Sequence, residues 1–171
     1  PISNRTLVCH DMASLQEFDH SNSAWNQAVD ATEHGDPFCC RTEWQLSFHE
    51  VFAPARETVV HASDDSLISF AIHRHGKQQL IEPLEASWLF GCPLLGPNAM
   101  TLLAQLLAAE PRATVLLSGM DVNDERTRQL VATFGTRYEF LHANSETACR
   151  ASLRGGLDSY LSRRSAKLRR G

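Results

Sequence analysis

His73 and His75 flank Arg74 at the end of the short stretch SLISFAIHRHG. If that stretch is a strand, alternation sets both imidazoles on one face, and such a pair can begin a metal site. Zinc needs three or four protein ligands, and no third stands near in sequence. The pair therefore reads as a polar strand face, and no metal is expected. Cys9, Cys39, Cys40, Cys92 and Cys149 are odd in number and lack a CxxC spacing. That pattern argues against a disulfide framework or zinc site and fits a reducing, cytoplasmic setting. Adjacent Cys39 and Cys40 read as small buried thiols rather than nucleophiles. Neither a G-x-S-x-G motif nor a Ser-His-Asp order occurs, so hydrolase chemistry has no support.

Arg163, Lys167 and Arg170 fall at i, i+4 and i+7, with Arg164 beside them and Leu157, Tyr160, Leu161 and Leu168 opposite. One helix would carry both stripes. Arg163, Arg164 and Lys167 are thus candidates for meeting a phosphate, CoA or an anionic sugar carrier; a solvated linker helix is the other reading. Residues 154–171 sum to +5, from six Lys/Arg and Asp158, while the other 153 residues hold ten Lys/Arg and nineteen acids and sum to −9. A basic end on an acidic body differs from the basic face of a nucleic-acid binder, so a nucleic-acid partner is not expected. Apolar runs fall short of the roughly 18 residues a spanning helix needs.

The elements that must position these residues are legible in outline. Ser14 and Glu17 form a capping box, and Leu15, Phe18, Trp25 and Val29 follow at helical spacing, which predicts a helix over 14–32. Thr42 and Gln45 repeat the box ahead of Trp44, Phe48, Val51 and Phe52, predicting a second helix that Pro54 ends. Trp25 and Trp44 are expected in the core. From Arg56 the texture becomes β-branched and alternating, predicting an antiparallel meander with turns at Asp64-Asp65 and Gly76-Lys77. SWLFGCPLLG, at 87–96, reads as a further strand with a bulge or edge at Gly91 and Pro93. A helix follows between Pro97, in its first turn, and Pro111. A strand over 113–119 and a helix capped by Asp121 or Asn123 come next, with closing strands at 137–143 and 147–153. The order predicts an α/β (α+β) fold, a mixed and largely antiparallel central sheet flanked by helices.

AWNQAV on the first helix, DPFCCRTEWQLSFHEVF leading into the second, the meander with its helix–strand–helix, and the closing LRGGLDSYLSRRSAKLRR together resemble one family. They are similar to the N-terminal half of the CelD-type, cellulose-biosynthesis-associated acetyltransferases of the GNAT superfamily, which look like the Fem-type aminoacyltransferases. The resemblance covers roughly residues 5 to 171. It implies two GNAT-like domains in tandem. Residues 1–154 would be the first, and 155–171 would start a basic linker helix toward a second that this chain lacks.

The resemblance further implies acyl-CoA (acetyl-CoA or another) as cofactor, and an amine or hydroxyl acceptor, a small molecule or sugar, in polysaccharide or cell-envelope synthesis. GNAT enzymes hold the CoA pyrophosphate on backbone N–H groups at a helix N-terminus. The corresponding place here is CPLLGPNA, where Gly96 and Asn98 are the expected contacts. The loop has one glycine, no Arg or Gln at its head, and Pro97 removes an N–H. An ordinary strand-to-helix turn stays open beside a CoA site. Glu82 and Glu85 are the candidate general bases, with surface charges as the other reading. Two functions follow: the N-terminal domain of an acyl-CoA-dependent acyltransferase, inactive by itself, or a degenerate non-catalytic module that binds an acceptor or partner protein.

Overall fold

The computed structural model describes residues 5–9, 21–33, 35–76, 78–143 and 156–163. Contacts divide the chain into two units, Pro1–Tyr138 and Glu139–Gly171.

In the first unit the sheet is built on two hairpins. β2 (Glu57–Ser63) and β3 (Ser66–His75) are antiparallel, with Ser63 opposite Ser66 across Asp64-Asp65. Asp64 has φ 45°, the left-handed conformation that Asp tolerates in tight turns. β4 (Gln78–Glu82) returns along β3 after Gly76, whose φ is 59°. Both expected turns are therefore present. β1 (Arg5–Cys9) pairs antiparallel with β2 at one edge. β6 (Thr114–Val115) pairs parallel with β4 at the other, giving the order β1-β2-β3-β4-β6. This is the expected α+β class with a mixed, largely antiparallel sheet.

β5 (Leu94–Leu95) lies off that path and pairs antiparallel with β3. β4 covers Ala71–His75 and β5 covers Leu67–Ile68 along the same strand. β4 and β5 run in one direction, so they are two pieces of a single line beside β3, interrupted by an excursion over 83–93. The expected strand over 87–96 shrinks to these two residues, because β4 already holds that edge of β3 from Ala71 onward. The strand expected over 113–119 likewise reduces to Thr114–Val115.

β3 shows why the sheet needs helices. Its residues 66–72 are all buried, on both faces. α1 (Ser21–Asp30) buries Trp25, Ala28 and Val29, and α3 (Ala99–Ala109) buries Leu102, Leu103, Leu106 and Leu107; both pack on β3. α2 (Thr42–Phe52) packs on α1, and α4 (Glu125–Phe134) adds Leu130 and Phe134 to the core. The Trp25 indole N–H donates to the Cys40 carbonyl at 2.9 Å, so the fully buried ring leaves no polar atom unpaired.

Several expectations are corrected. The first helix is described only from Ser21, and the Ser14 box lies outside the described residues. Pro97 stands before the cap of α3, not in its first turn. Asp124 is the N-cap of α4 and makes no side-chain cap bond; Asp121 Oδ1 instead accepts the Asn123 N–H at 2.8 Å. Residues 137–143 form no strand, for their alternation finds no partner strand among the described residues. The 147–153 strand lies outside them. In the second unit α5 (Gly156–Ser162) is a short helix, continued by the turn at Arg163.

Phe70 is completely buried at the centre of β3. Phe70→Ala is expected to cost about 3–5 kcal/mol, from lost burial plus the cavity left behind. Urea unfolding followed by circular dichroism measures it.

Candidate functional site

The excursion over 83–93 is organised by a buried carboxylate. Glu85 is fully buried. Its Oε1 accepts backbone N–H groups from Ser87 at 2.9 Å, Trp88 at 2.5 Å and Leu89 at 3.2 Å, and its Oε2 accepts that of Phe90 at 3.1 Å. Successive N–H groups that converge in this way form an anion nest, and the loop fills the nest with its own side chain. Wrapping the chain around the carboxylate forces Leu89 to φ 57°, an uncommon conformation for a residue with a Cβ.

Gln45 on α2 holds the base of the loop. Its Oε1 accepts the Glu85 N–H at 3.1 Å, and its Nε2 donates to the Cys39 carbonyl at 2.7 Å. Gly91 permits this approach, since a Cβ there would sit 2.2 Å from Gln45 Nε2. The capping-box reading of Gln45 is replaced by this bond across the fold. Ser118 closes the far side by donating to the Gly91 carbonyl at 2.6 Å.

The loop presents an aromatic face. Trp88 meets Trp44 at 5.6 Å between centroids, Phe48 at 5.5 Å and Phe52 at 6.4 Å; Phe38 meets Trp44 at 5.3 Å. Phe48 is buried, but Phe38, Phe52 and Trp88 are 61%, 65% and 51% exposed and neighbouring Val51 is 70% exposed. Trp44 is half-buried, which corrects its expected place in the core. Helical periodicity identifies one apolar stripe on α2 but not whether the sheet or solvent meets it. Phe38 is held by Asp36, whose Oδ1 accepts the Phe38 and Cys39 N–H groups at 3.0 and 2.7 Å.

The residues singled out from sequence occupy different surroundings. Glu82 is buried and paired with Arg56. Neither Glu82 nor Glu85 is therefore a surface charge, and both carboxylates already serve internal partners. Gly96 is buried with φ 78° and donates its N–H to Thr32 Oγ1 at 2.8 Å. Asn98 donates its N–H to Ser66 Oγ at 2.8 Å. Arg126 donates to the Leu94 and Gly96 carbonyls at 3.0 and 2.9 Å, which ties down the rest of that turn. Below it, between Gly35, Cys92, Gly119 and Arg126, a hollow has room for about one water molecule.

In the second unit Arg163 is exposed and its Nη1 donates to Ser159 Oγ at 2.7 Å. Arg164, Lys167 and Arg170 lie outside the described residues. His73 and His75 are exposed at the end of β3, and no cluster of three metal-ligating side chains occurs among the described residues. Cys39, Cys40 and Cys92 are free and buried. Burial first, and then Asp36, pushes the Cys39 thiol up to about 11, and burial pushes Cys40 up to about 12. These thiols are poor nucleophiles at neutral pH.

Comparisons with family models, with curated proteins and with solved structures found no match for this chain.

Glu85→Ala is expected to lose about 3 kcal/mol, as the four backbone N–H groups turned onto the carboxyl lose their acceptor. Amide exchange should accelerate at residues 87–90 while the meander stays protected. Buried His49 and half-buried His61 give a pH signature. Burial, and for His49 also the Arg56 charge, lowers the pKa of His49 and His61 below the usual 6.5. The unfolded chain takes up these protons first, so stability is level above about pH 7 and falls as pH drops through 6.5. His49→Leu should flatten that fall in urea titrations between pH 7.5 and 5.

Proposed function

We propose that this chain is the N-terminal, GNAT-like half of an acyl-CoA-dependent acyltransferase, and that it supports transfer without performing it. The observation that carries this reading is the β4–α3–β6 unit. A three-strand meander runs into a helix and then into a strand parallel to its last member, at the place where the resemblance puts the helix that receives CoA. The supporting role follows from the turn between β5 and α3. Two of its backbone N–H groups are bound to Thr32 and Ser66, and Pro97 has none. A pyrophosphate there would have to displace both hydroxyls and would gain little from the helix end.

In the whole enzyme, an acceptor amine or hydroxyl, here of a sugar in polysaccharide or envelope synthesis, attacks the thioester carbonyl. Backbone N–H groups stabilise the oxyanion. Those groups, the CoA contacts and the general base belong to a second GNAT-like half. This half contributes a wall and a rigid sheet. Glu82 and Glu85 fit that division, since Arg56 and the loop N–H groups hold them in structural roles.

The product of the whole open reading frame should release CoA thiol from acetyl-CoA in the presence of amino-sugar acceptors. The 171-residue chain alone should show no heat of acetyl-CoA binding in calorimetry. A reading frame with no second GNAT-like stretch would overturn the proposal. So would tight binding of acetyl-CoA by the chain alone, because it would place the donor site in this half.

A further inference from the structure

We infer that the aromatic face built by α2 and the 85–90 loop is a docking surface for a basic amphipathic helix of a partner protein. The inference is independent of the transfer chemistry. Phe38, Val51, Phe52 and Trp88 together expose on the order of 500 Å², most of it apolar, a size usual only for the largest patch of a monomer. Large aromatic side chains around a central tryptophan are the composition of an interface core.

The backbone beneath much of the face is tied down by hydrogen bonds before anything binds. Glu85 fixes the backbone of Trp88, Gln45 fixes Glu85, and Asp36 fixes Phe38. Little ordering entropy is left to lose on association.

Charge selects the occupant. Glu43 and Glu50 are exposed at i and i+7 of α2, with Ser47 between them, as a stripe beside Trp44, Phe48 and Val51. A hydrogen bond from its own backbone N–H, and then those from Thr42 and Asn26, hold the Glu43 carboxyl below its ordinary range, so it is ionised at neutral pH. Of the cations nearest in sequence, Arg56 is paired with Glu82, and Arg41 is paired with Asp30 while its charge also reaches Glu43. Within the face the Glu85 charge is spread over four N–H groups. An apolar centre with an acidic flank complements a helix that sets a leucine or aromatic stripe beside lysines or arginines. It opposes an anionic lipid surface. In a two-fold pairing of this face with itself, it would bring like charges together.

A synthetic helical peptide of leucines and lysines in amphipathic order, labelled for fluorescence anisotropy, tests the inference; the same peptide with glutamates for lysines is the control. The lysine peptide should bind with a dissociation constant on the order of 10 µM and weaken as salt rises, while the glutamate peptide should not bind. Trp88→Ala and Phe52→Ser should each weaken binding about tenfold or more. Glu43→Gln/Glu50→Gln, which removes both charges and keeps the side-chain shape, should weaken it about threefold and remove much of the salt dependence. Circular dichroism checks that each variant is folded. Equal binding of both peptides, or no binding of the lysine peptide, overturns the inference. So does unchanged affinity in Phe52→Ser and the double glutamine variant. Sedimentation showing a dimer that Trp88→Ala dissolves, or uptake onto phosphatidylcholine vesicles through Trp88 without peptide binding, would assign the face to a second copy or a bilayer and equally overturn it.

Discussion

A carboxylate taken out of water must be surrounded by donors or it will not stay charged at tolerable cost. Glu85 meets that condition with the four amides of its own loop, and the architecture around the site follows from it. The chain has to curl tightly enough to aim those amides inward, so Leu89 is driven into a left-handed turn and the side chains at 88–90 are driven outward. The polar interior of the loop and its apolar exterior are two sides of one solution. Gln45 then couples the curl to α2, which is why a loop residue and a helix stripe present a single aromatic face.

Much of the fold was legible because it depends on local rules. Asp64-Asp65 and Gly76 mark hairpin turns by their tolerance of positive φ, and the short β-branched stretches between them mark the strands of a meander. The α3 segment is rich in alanine and leucine and bounded by prolines. What stayed illegible depends on partners far away in the chain. The 87–96 stretch is apolar enough to be a strand, and nothing local says that Glu85 will pull its first half out of the sheet. Residues 137–143 alternate as a strand would, yet alternation supplies no neighbour to pair with. The stripe on α2 illustrates the same limit, since a period of 3.6 locates an apolar face without saying whether protein or water lies against it.

The site divides along similar lines. The turn before α3 was recognisable as the place where an anion-binding loop would fall, and its single glycine and Pro97 already departed from that pattern. Only the fold could add that Thr32, from the end of α1, and Ser66, from the first hairpin, reach the N–H groups of Gly96 and Asn98. Neither hydroxyl is near in sequence. The aromatic face was missed outright; a signal was present in the density of aromatic residues across 38–52 and 88–90, but each segment by itself resembles ordinary core.

The shared line of β4 and β5 bears on how such a sheet can change. Both pieces pair with β3 on their own, while the segment between them is anchored at its two ends by buried Leu84, Glu85 and Cys92. Only its tip, at 87–90, lies exposed. Replacing side chains there can remodel what the molecule shows its surroundings while every backbone pair of the meander stays where it is.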